Sequence, residues 1–343
     1  MDFEKAIGIL NKGIQDELFS CYAVSIGRGE EIFYTKAEGN ASVYPKVRPL
    51  ENDALFDIAS MTKLVGTAMA TLRLFQLNKI DINARIGEFI TNCHQKEEIT
   101  LKQLLTHTSG VSAHMPLWRM NIKSENAVDT ILSQPLVKPI GCDVVYSCMG
   151  YIVLGKILET VISDSLDNII ESLVLKPLKM KDTMFCPTSK NCVSTEYSKE
   201  DYAYICGKVH DENARFLGGV AGNAGLFSTI SDITKFASML SLRGKDFLEK
   251  SLFEEAVKNH TPFANESRGL GFHLFTSGLF PTGKFMSKGS YGHTGFTGTS
   301  LFVDNKSGVY VALLTNRVHF GRDNNEFFTC RRLLHDAVFK NGV

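Results

Sequence analysis

The stretch Ser60–Leu77 reads SMTKLVGTAMATLRLFQL. Met61, Leu64, Val65, Ala68, Met69 and Leu72 recur at helical spacing and make one apolar stripe, while Ala70, Leu74 and Phe75 put apolar side chains on other faces. A helix apolar nearly all round belongs inside a protein. Ser60 and Lys63 lie one turn apart at its start, on a shared face. A serine hydroxyl is a poor nucleophile near neutral pH and needs a base. Burial is expected to lower the lysine pKa, because desolvation disfavours the ammonium form, and a neutral amine then takes the serine proton. The helix N-terminus adds backbone N–H groups and a positive dipole end for a developing oxyanion. Ser60-Met61-Thr62-Lys63 is the one Ser-x-x-Lys in the chain. A capping serine followed by a snorkelling lysine accounts for the same residues, so the motif gains weight only from its surroundings.

Upstream, Phe3, Ile7, Leu10, Ile14 and Leu18 mark a helix within 2–19. Two strands follow, at 20–27 and 31–38, with Gly27-Arg28-Gly29-Glu30 as a hairpin link. Downstream, the pattern predicts helices at 100–107, 125–133, 147–163 and 166–176. Irregular stretches at 108–124 and 180–215 are of a length that tends to line binding sites. A glycine-rich turn at 218–225 precedes a helix over 229–242, and strands are expected near 270–275, 298–304 and 308–315. The run Val309 to Leu314 is apolar throughout, as in a strand covered on both faces. The last helix is placed at 324–340, with Asp323 and Glu326 spaced as a capping box. Strands from both chain ends and helices between them imply an α+β fold with one central sheet. The expected division is a sheet lobe (1–60 and 216–343), a helical lobe (61–215), and an active site between them.

Two further groups of residues bear chemistry. Tyr146-Ser147-Cys148 directly precedes the helix at 147–163, and a phenol held near a cationic lysine can shuttle protons. A half-buried aromatic at a helix start is the plainer reading of that tyrosine. Gly292-His293-Thr294-Gly295-Phe296-Thr297-Gly298 combines strand-edge position with glycines that let a ligand approach the backbone, although a glycine-rich bulge has the same composition. The run Gly218 to Gly225 lacks the Gly-Lys-Ser/Thr ending of a phosphate-binding loop, which argues against nucleotide binding.

Among 343 residues, 37 Lys and Arg balance 37 Asp and Glu, which argues against nucleic acid or an anionic membrane as the main partner. No apolar run reaches the length of a membrane span. Met1-Asp2-Phe3-Glu4-Lys5 opens no signal peptide, so a cytoplasmic location is expected. The eight cysteines contain no Cys-x-x-Cys and read as free, mostly buried thiols of a reducing compartment. The nine histidines show no metal-binding spacing, and neither metal nor other cofactor is expected. Oligomeric state is left open.

Taken in order, these motifs resemble the serine beta-lactamase and penicillin-binding-protein superfamily, in its class C-like branch with esterase and D-peptidase relatives. Ser60 and Lys63 match its first motif. Tyr146 matches the Tyr-x-Asn motif, which Cys148 breaks. His293-Thr294-Gly295 matches the third. Leu104-Leu105-Thr106-His107-Thr108-Ser109-Gly110 and the run from Gly222 to Phe236 resemble flanking segments, so the likeness spans about residues 20–340. The resemblance implies an α+β beta-lactamase/DD-peptidase-like fold and an acyl-enzyme formed through Ser60. Lys63 and Tyr146 would share the base role, and the Ser60 and Phe296 N–H groups would form the oxyanion hole. Cys148, His293, Thr294 and Gly295 would line the substrate. An ester, amide or beta-lactam carbonyl of a small-molecule or peptide-like substrate is expected. Cys148 in place of asparagine, and His293 in place of lysine with loss of a fixed positive charge, favour an esterase or D-peptidase. The alternative is a catalytically weak penicillin-recognising or interaction protein of the same fold.

Overall fold

The structure is a computed structural model describing residues 2–189, 191–276 and 281–340; the outermost bounds of the expected division, Met1 and Val343, lie outside them. The strands are β1 (Cys21–Arg28), β2 (Glu31–Ser42), β3 (Arg48–Pro49), β4 (Phe56–Asp57), β5 (Met184–Phe185), β6 (Tyr197–Ser198), β7 (Ala203–Tyr204), β8 (Leu226–Ser228), β9 (His273–Leu274), β10 (Tyr291–Thr294), β11 (Ser300–Val303) and β12 (Val309–Thr315). Seven of them form one antiparallel sheet in the order β3-β2-β1-β12-β11-β10-β9, drawn from both ends of the chain. The first hairpin turns at Gly29-Glu30, with Arg28 paired to Glu31.

The continuously apolar β12 is the centre of the packing, and all seven of its residues are buried. Tyr310, Ala312 and Leu314 face a core built with the helices of the middle of the chain. Val309, Val311 and Leu313 face a second core closed by the first helix, Phe3–Gln15, and the last, Glu326–Phe339. A strand with apolar residues on both faces needs a layer on each side. The expected capping box of the last helix is not formed. Asn325 occupies the cap without a side-chain bond, and Asn324 Oδ1 accepts from the Phe327 N–H at 3.3 Å.

The predicted helix over 60–77 begins in α-helical form at Met61, passes through a π-helical turn, Lys63–Ala68, and continues as α-helix at Met69–Gln76. Apolar periodicity does not distinguish these winding modes, and π turns recur at functional positions. The helix is buried, and its threonines are satisfied internally: Thr67 donates to the Gly222 carbonyl at 2.8 Å and Thr71 to that of Thr67 at 2.8 Å. The glycine-rich run therefore serves packing. A Cβ at Gly222 would overlap the Tyr151 carbonyl, so only glycine lets this backbone lie between the two helices. The segment 166–176 also divides, into an α part, Leu166–Ile170, and a π turn, Glu171–Leu175. Periodicity left β10 and the short helices Glu212–Phe216 and Lys250–Ala256 undetected. Among the described residues no helix is long and apolar enough to cross a membrane. All eight cysteines are free; four are buried, Cys148 is partly buried, and Cys142, Cys186 and Cys206 are exposed, fewer buried than expected.

Candidate active site

Ser60 follows β4, which pairs with β8. The approach is tightly fixed. Ala59 has φ +45°, a left-handed conformation costly for a residue with a Cβ. Its N–H is held by Asp57 Oδ1 at 2.8 Å, and Asp57 Oδ2 accepts the His210 N–H at 2.6 Å. Asp57 is buried, which pushes its carboxyl pKa up against the opposing pull of those two N–H groups. The Ser60 side chain is itself partly accessible.

Lys63 is fully buried. Its Nζ lies 3.0 Å from Ser60 Oγ, 3.0 Å from the Asn223 carbonyl oxygen and 3.3 Å from Cys148 Sγ. An ammonium has three N–H donors, and here it has three acceptors. Burial works to lower the Lys63 pKa, and sequence reasoning expected that effect to prevail. The charges that Cys148 and Tyr146 carry when ionised outweigh it, so the pKa is raised instead. An ammonium at Lys63 donates to Ser60 Oγ and must give up a proton before it can accept one.

Tyr146 packs its ring against this cation, with Lys63 Nζ 5.1 Å from the ring centroid. The loop carrying Tyr146 is anchored by His107. The His107 carbonyl accepts the Val145 N–H at 2.8 Å, its Nδ1 accepts the Ser147 N–H at 3.0 Å, and its ring lies 4.5 Å from that of Tyr146. Burial, then the charges of Arg268 and Lys63, hold the His107 pKa well below the ordinary value, which keeps Nδ1 free to accept. Ser147 caps the helix Cys148–Ile162 and thereby sets Cys148 on its first turn, facing Lys63.

The third motif lies on β10 and the turn after it. His293 and Tyr146 ring centroids are 6.1 Å apart. His293 Nδ1 donates to the Thr294 carbonyl at 2.7 Å, and Nε2 is buried without a hydrogen-bond partner. Burial, with Lys63 and Arg268 nearby, pushes the His293 pKa down to about 3, so the ring is neutral near pH 7. Thr299 donates to the Ile58 carbonyl at 3.1 Å and Thr297 to that of Asp57 at 2.8 Å, stitching the turn to the segment before Ser60. A side chain at Gly295 would overlap the Ile58 oxygen and the Thr299 hydroxyl. Among the described residues, neither the Ser60 nor the Phe296 N–H is taken by an acceptor.

Ser60, Lys63 and Cys148 are thus in direct contact, Tyr146 adjoins them, His293 and Thr294 adjoin Tyr146, and Gly295 and Phe296 are tied to the approach to Ser60. A cavity of about 220 Å³ is lined by Tyr146, Arg268, His273, Pro281, His293 and Thr294. His293 is neutral, in line with the loss of a fixed charge at its position. A buried guanidinium from elsewhere in the chain, Arg268, lies 5.3 Å from the Tyr146 ring centroid. It pairs with Glu266, and its Nε is buried and unpartnered. Arg268 stands in a short Arg-Gly-Leu-Gly-Phe run with no motif spacing, so only the fold reveals it. Asn223 was missed for the same reason, and so was the bond that Asp57 accepts from the His210 N–H, which joins residues 153 positions apart.

An antiparallel sheet flanked by helices, with Ser-x-x-Lys opening a buried helix beside it, defines the superfamily of serine hydrolases that includes beta-lactamases and penicillin-binding proteins. Residues 12–330 match the family described as Beta-lactamase, and the chain belongs to that family. A relative from Salmonella enteritidis, named "Putative D-alanyl-D-alanine carboxypeptidase", is 27% identical over 322 residues, covering 83% of this chain and 74% of the relative. The fold is similar to that of EstCE1, described as a hydrolase with promiscuous acyltransferase activity, with TM-score 0.79, 20% identity and 98% of each chain covered. It is also similar to that of the octameric penicillin-binding protein homologue from Pyrococcus abyssi, with TM-score 0.76 and 21% identity, covering 92% of this chain and 74% of that one.

Proposed function

We propose that the protein is a serine acyl hydrolase of the D-peptidase type, acting on a carbonyl whose neighbouring group carries a free carboxylate. The proposed site lies between a sheet lobe (1–60 and 216–343) and a helical lobe (61–215). Ser60 attacks the carbonyl and forms the acyl-enzyme. Lys63 and Tyr146 share the base role that takes the serine proton. The two act as one coupled pair. Tyr146 then passes the proton to the leaving group and activates the deacylating water. The N–H groups of Ser60 and Phe296 receive the oxyanion.

The observation carrying the substrate class is Arg268, a buried cation lining the Tyr146–His293–Thr294 cavity with an N–H left over. A guanidinium is suited to a carboxylate. The name of the Salmonella relative agrees with a substrate of this kind. Cys148 in the asparagine position offers a weak donor to a substrate amide, which supports slow beta-lactam turnover.

The test compares wild type and Arg268→Gln on an N-acylated D-alanyl-D-alanine peptide and on p-nitrophenyl acetate, which has no carboxylate. Loss of about tenfold or more in kcat/KM on the peptide, with the ester rate within about twofold, is expected. Equal losses on both substrates, or no peptide hydrolysis by a wild type active on the ester, would overturn the carboxylate assignment.

A further inference from the structure

We infer that Arg317 is the positioning residue for the Phe296 N–H, holding one of the two oxyanion donors in place. The inference rests on the reading of Phe296 as such a donor. Arg317 stands two residues after the end of β12, is 3% exposed, and meets no carboxylate among the described residues. A guanidinium buried without a counter-ion is expensive, and its hydrogen bonds show where that cost is offset. Its Nε–H donates to the Phe296 carbonyl at 2.8 Å, and Nη1 donates to the Arg322 carbonyl at 3.1 Å. Its backbone N–H donates to the Thr297 carbonyl at 2.8 Å. The guanidinium carbon lies 4.6 Å from the Phe296 ring centroid and 5.1 Å from that of Phe328.

These contacts add to the turn's own bond from the Gly298 N–H to the Gly295 carbonyl at 3.1 Å, which holds the peptide before Phe296, and they hold the residue from its other side. The Phe296 side chain is 47% exposed, so burial does not fix its ring. The threonine hydroxyls of the turn reach residues 57 and 58 from positions 297 and 299 and leave Phe296 itself untouched. Arg317 grips Phe296 twice, by its carbonyl and by the face of its ring, while the His210 ring stacks on it at 5.7 Å. Holding carbonyl and ring together restricts the torsions on either side of the Phe296 Cα, and with them the direction of the N–H. Oxyanion stabilisation depends on donors placed before the charge develops, and an error of about 1 Å is worth up to about 10²-fold in rate. Lysine would keep the charge but not the planar fork, so it would not replace this arginine.

The test uses Arg317→Met, Arg317→Lys and Arg317→Ala in the full chain. The readouts are p-nitrophenyl acetate kinetics, inhibition by phenylboronic acid (which forms a tetrahedral serine adduct) and Tm. Expected for Met and Lys is a fall in kcat of about 30-fold, KM within about twofold, and boronate affinity weakened by a factor similar to that in kcat. In Arg317→Ala, added guanidinium ion should restore part of kcat. Wild-type kcat and boronate affinity in Arg317→Met, with Ser60→Ala inert, would overturn this inference alone. An undiminished Ser60→Ala would overturn the site reading beneath it. If Met and Ala fail to fold, Arg317→Lys decides: a loss of kcat and of boronate affinity together supports the positioning role, and a raised KM with unchanged kcat and boronate affinity contradicts it.

Discussion

Around the Lys63 amine, three acceptors meet three donors, supplied by Ser60 Oγ, Cys148 Sγ and the Asn223 carbonyl. At the cavity on the other side of the site, Arg268 Nε and His293 Nε2 are also buried and meet no hydrogen-bond partner among the described residues. Buried polar atoms are costly when unpaired, so this difference separates two kinds of region. The three contacts of the Lys63 amine are made in the resting protein, while the Asn223 side-chain amide beside it is buried without a partner among the described residues. In the neighbouring cavity Arg268 is paired with Glu266, yet its Nε–H and His293 Nε2 are left for a ligand with polar groups to meet.

The comparison breaks most sharply at the Lys63 side. Ser60→Ala and Lys63→Met should each reduce ester hydrolysis by about 10³-fold or more, as for other catalytic groups that act as a unit. Combining them should cost little beyond either alone. Steady-state rates on p-nitrophenyl acetate check this, and additive losses would mean that the two residues work separately. Lys63→Met also leaves Asn223 O and Cys148 Sγ without their donor, so Tm should fall in that variant and hold in Ser60→Ala.

Ser60, Lys63, Tyr146 and His293 were picked out as candidates because their three motifs occur in the family's order, each being weak alone, and the strand carrying His293 left no clear period. The sheet drawn from both chain ends was legible because the doubly covered β12 reads as an unbroken apolar run. The direction of the Lys63 pKa was not legible. It depends on Cys148, 85 positions away, and on Tyr146, and local burial alone gives the wrong sign. Arg268 and Arg317 were not legible because a single arginine in a loop carries no period or spacing. Their roles come from what the fold packs beside them: the Tyr146 ring in one case, the Phe296 carbonyl in the other.

A smaller effect is expected at the seam between the two regions. Cys148→Asn restores an amide able to donate to a substrate amide, and its carbonyl oxygen still accepts from Lys63. Hydrolysis of nitrocefin relative to p-nitrophenyl acetate should rise severalfold, by about 1 kcal/mol of one added hydrogen bond. An unchanged ratio would remove Cys148 from substrate recognition.

The least effect of a single substitution should come from pH. His293 and His335 are fully buried with pKa values pushed down to about 3 by desolvation. Their unfolded forms take up a proton near the ordinary value of 6.5, while the folded forms stay neutral until about 3. The unfolded state therefore binds more protons across that window, and stability falls as pH drops through it. Glu196, held at about 2 by His210 and Arg322 against the cost of its own burial, adds to the loss below about 4.5. Tm measured from pH 7 to 4 should decline, and His293→Asn should flatten part of the slope. A Tm that rose on acidification would contradict these assignments.

In the proposed reaction Ser60 becomes covalently acylated beside Lys63. Intact-mass and peptide mass spectrometry on enzyme quenched during turnover of a slow ester tests it most directly. The expected result is one acyl group, located on the peptide containing Ser60 and missing in Ser60→Ala. An acyl group on Cys148, or full turnover by Ser60→Ala with no adduct at all, would contradict it.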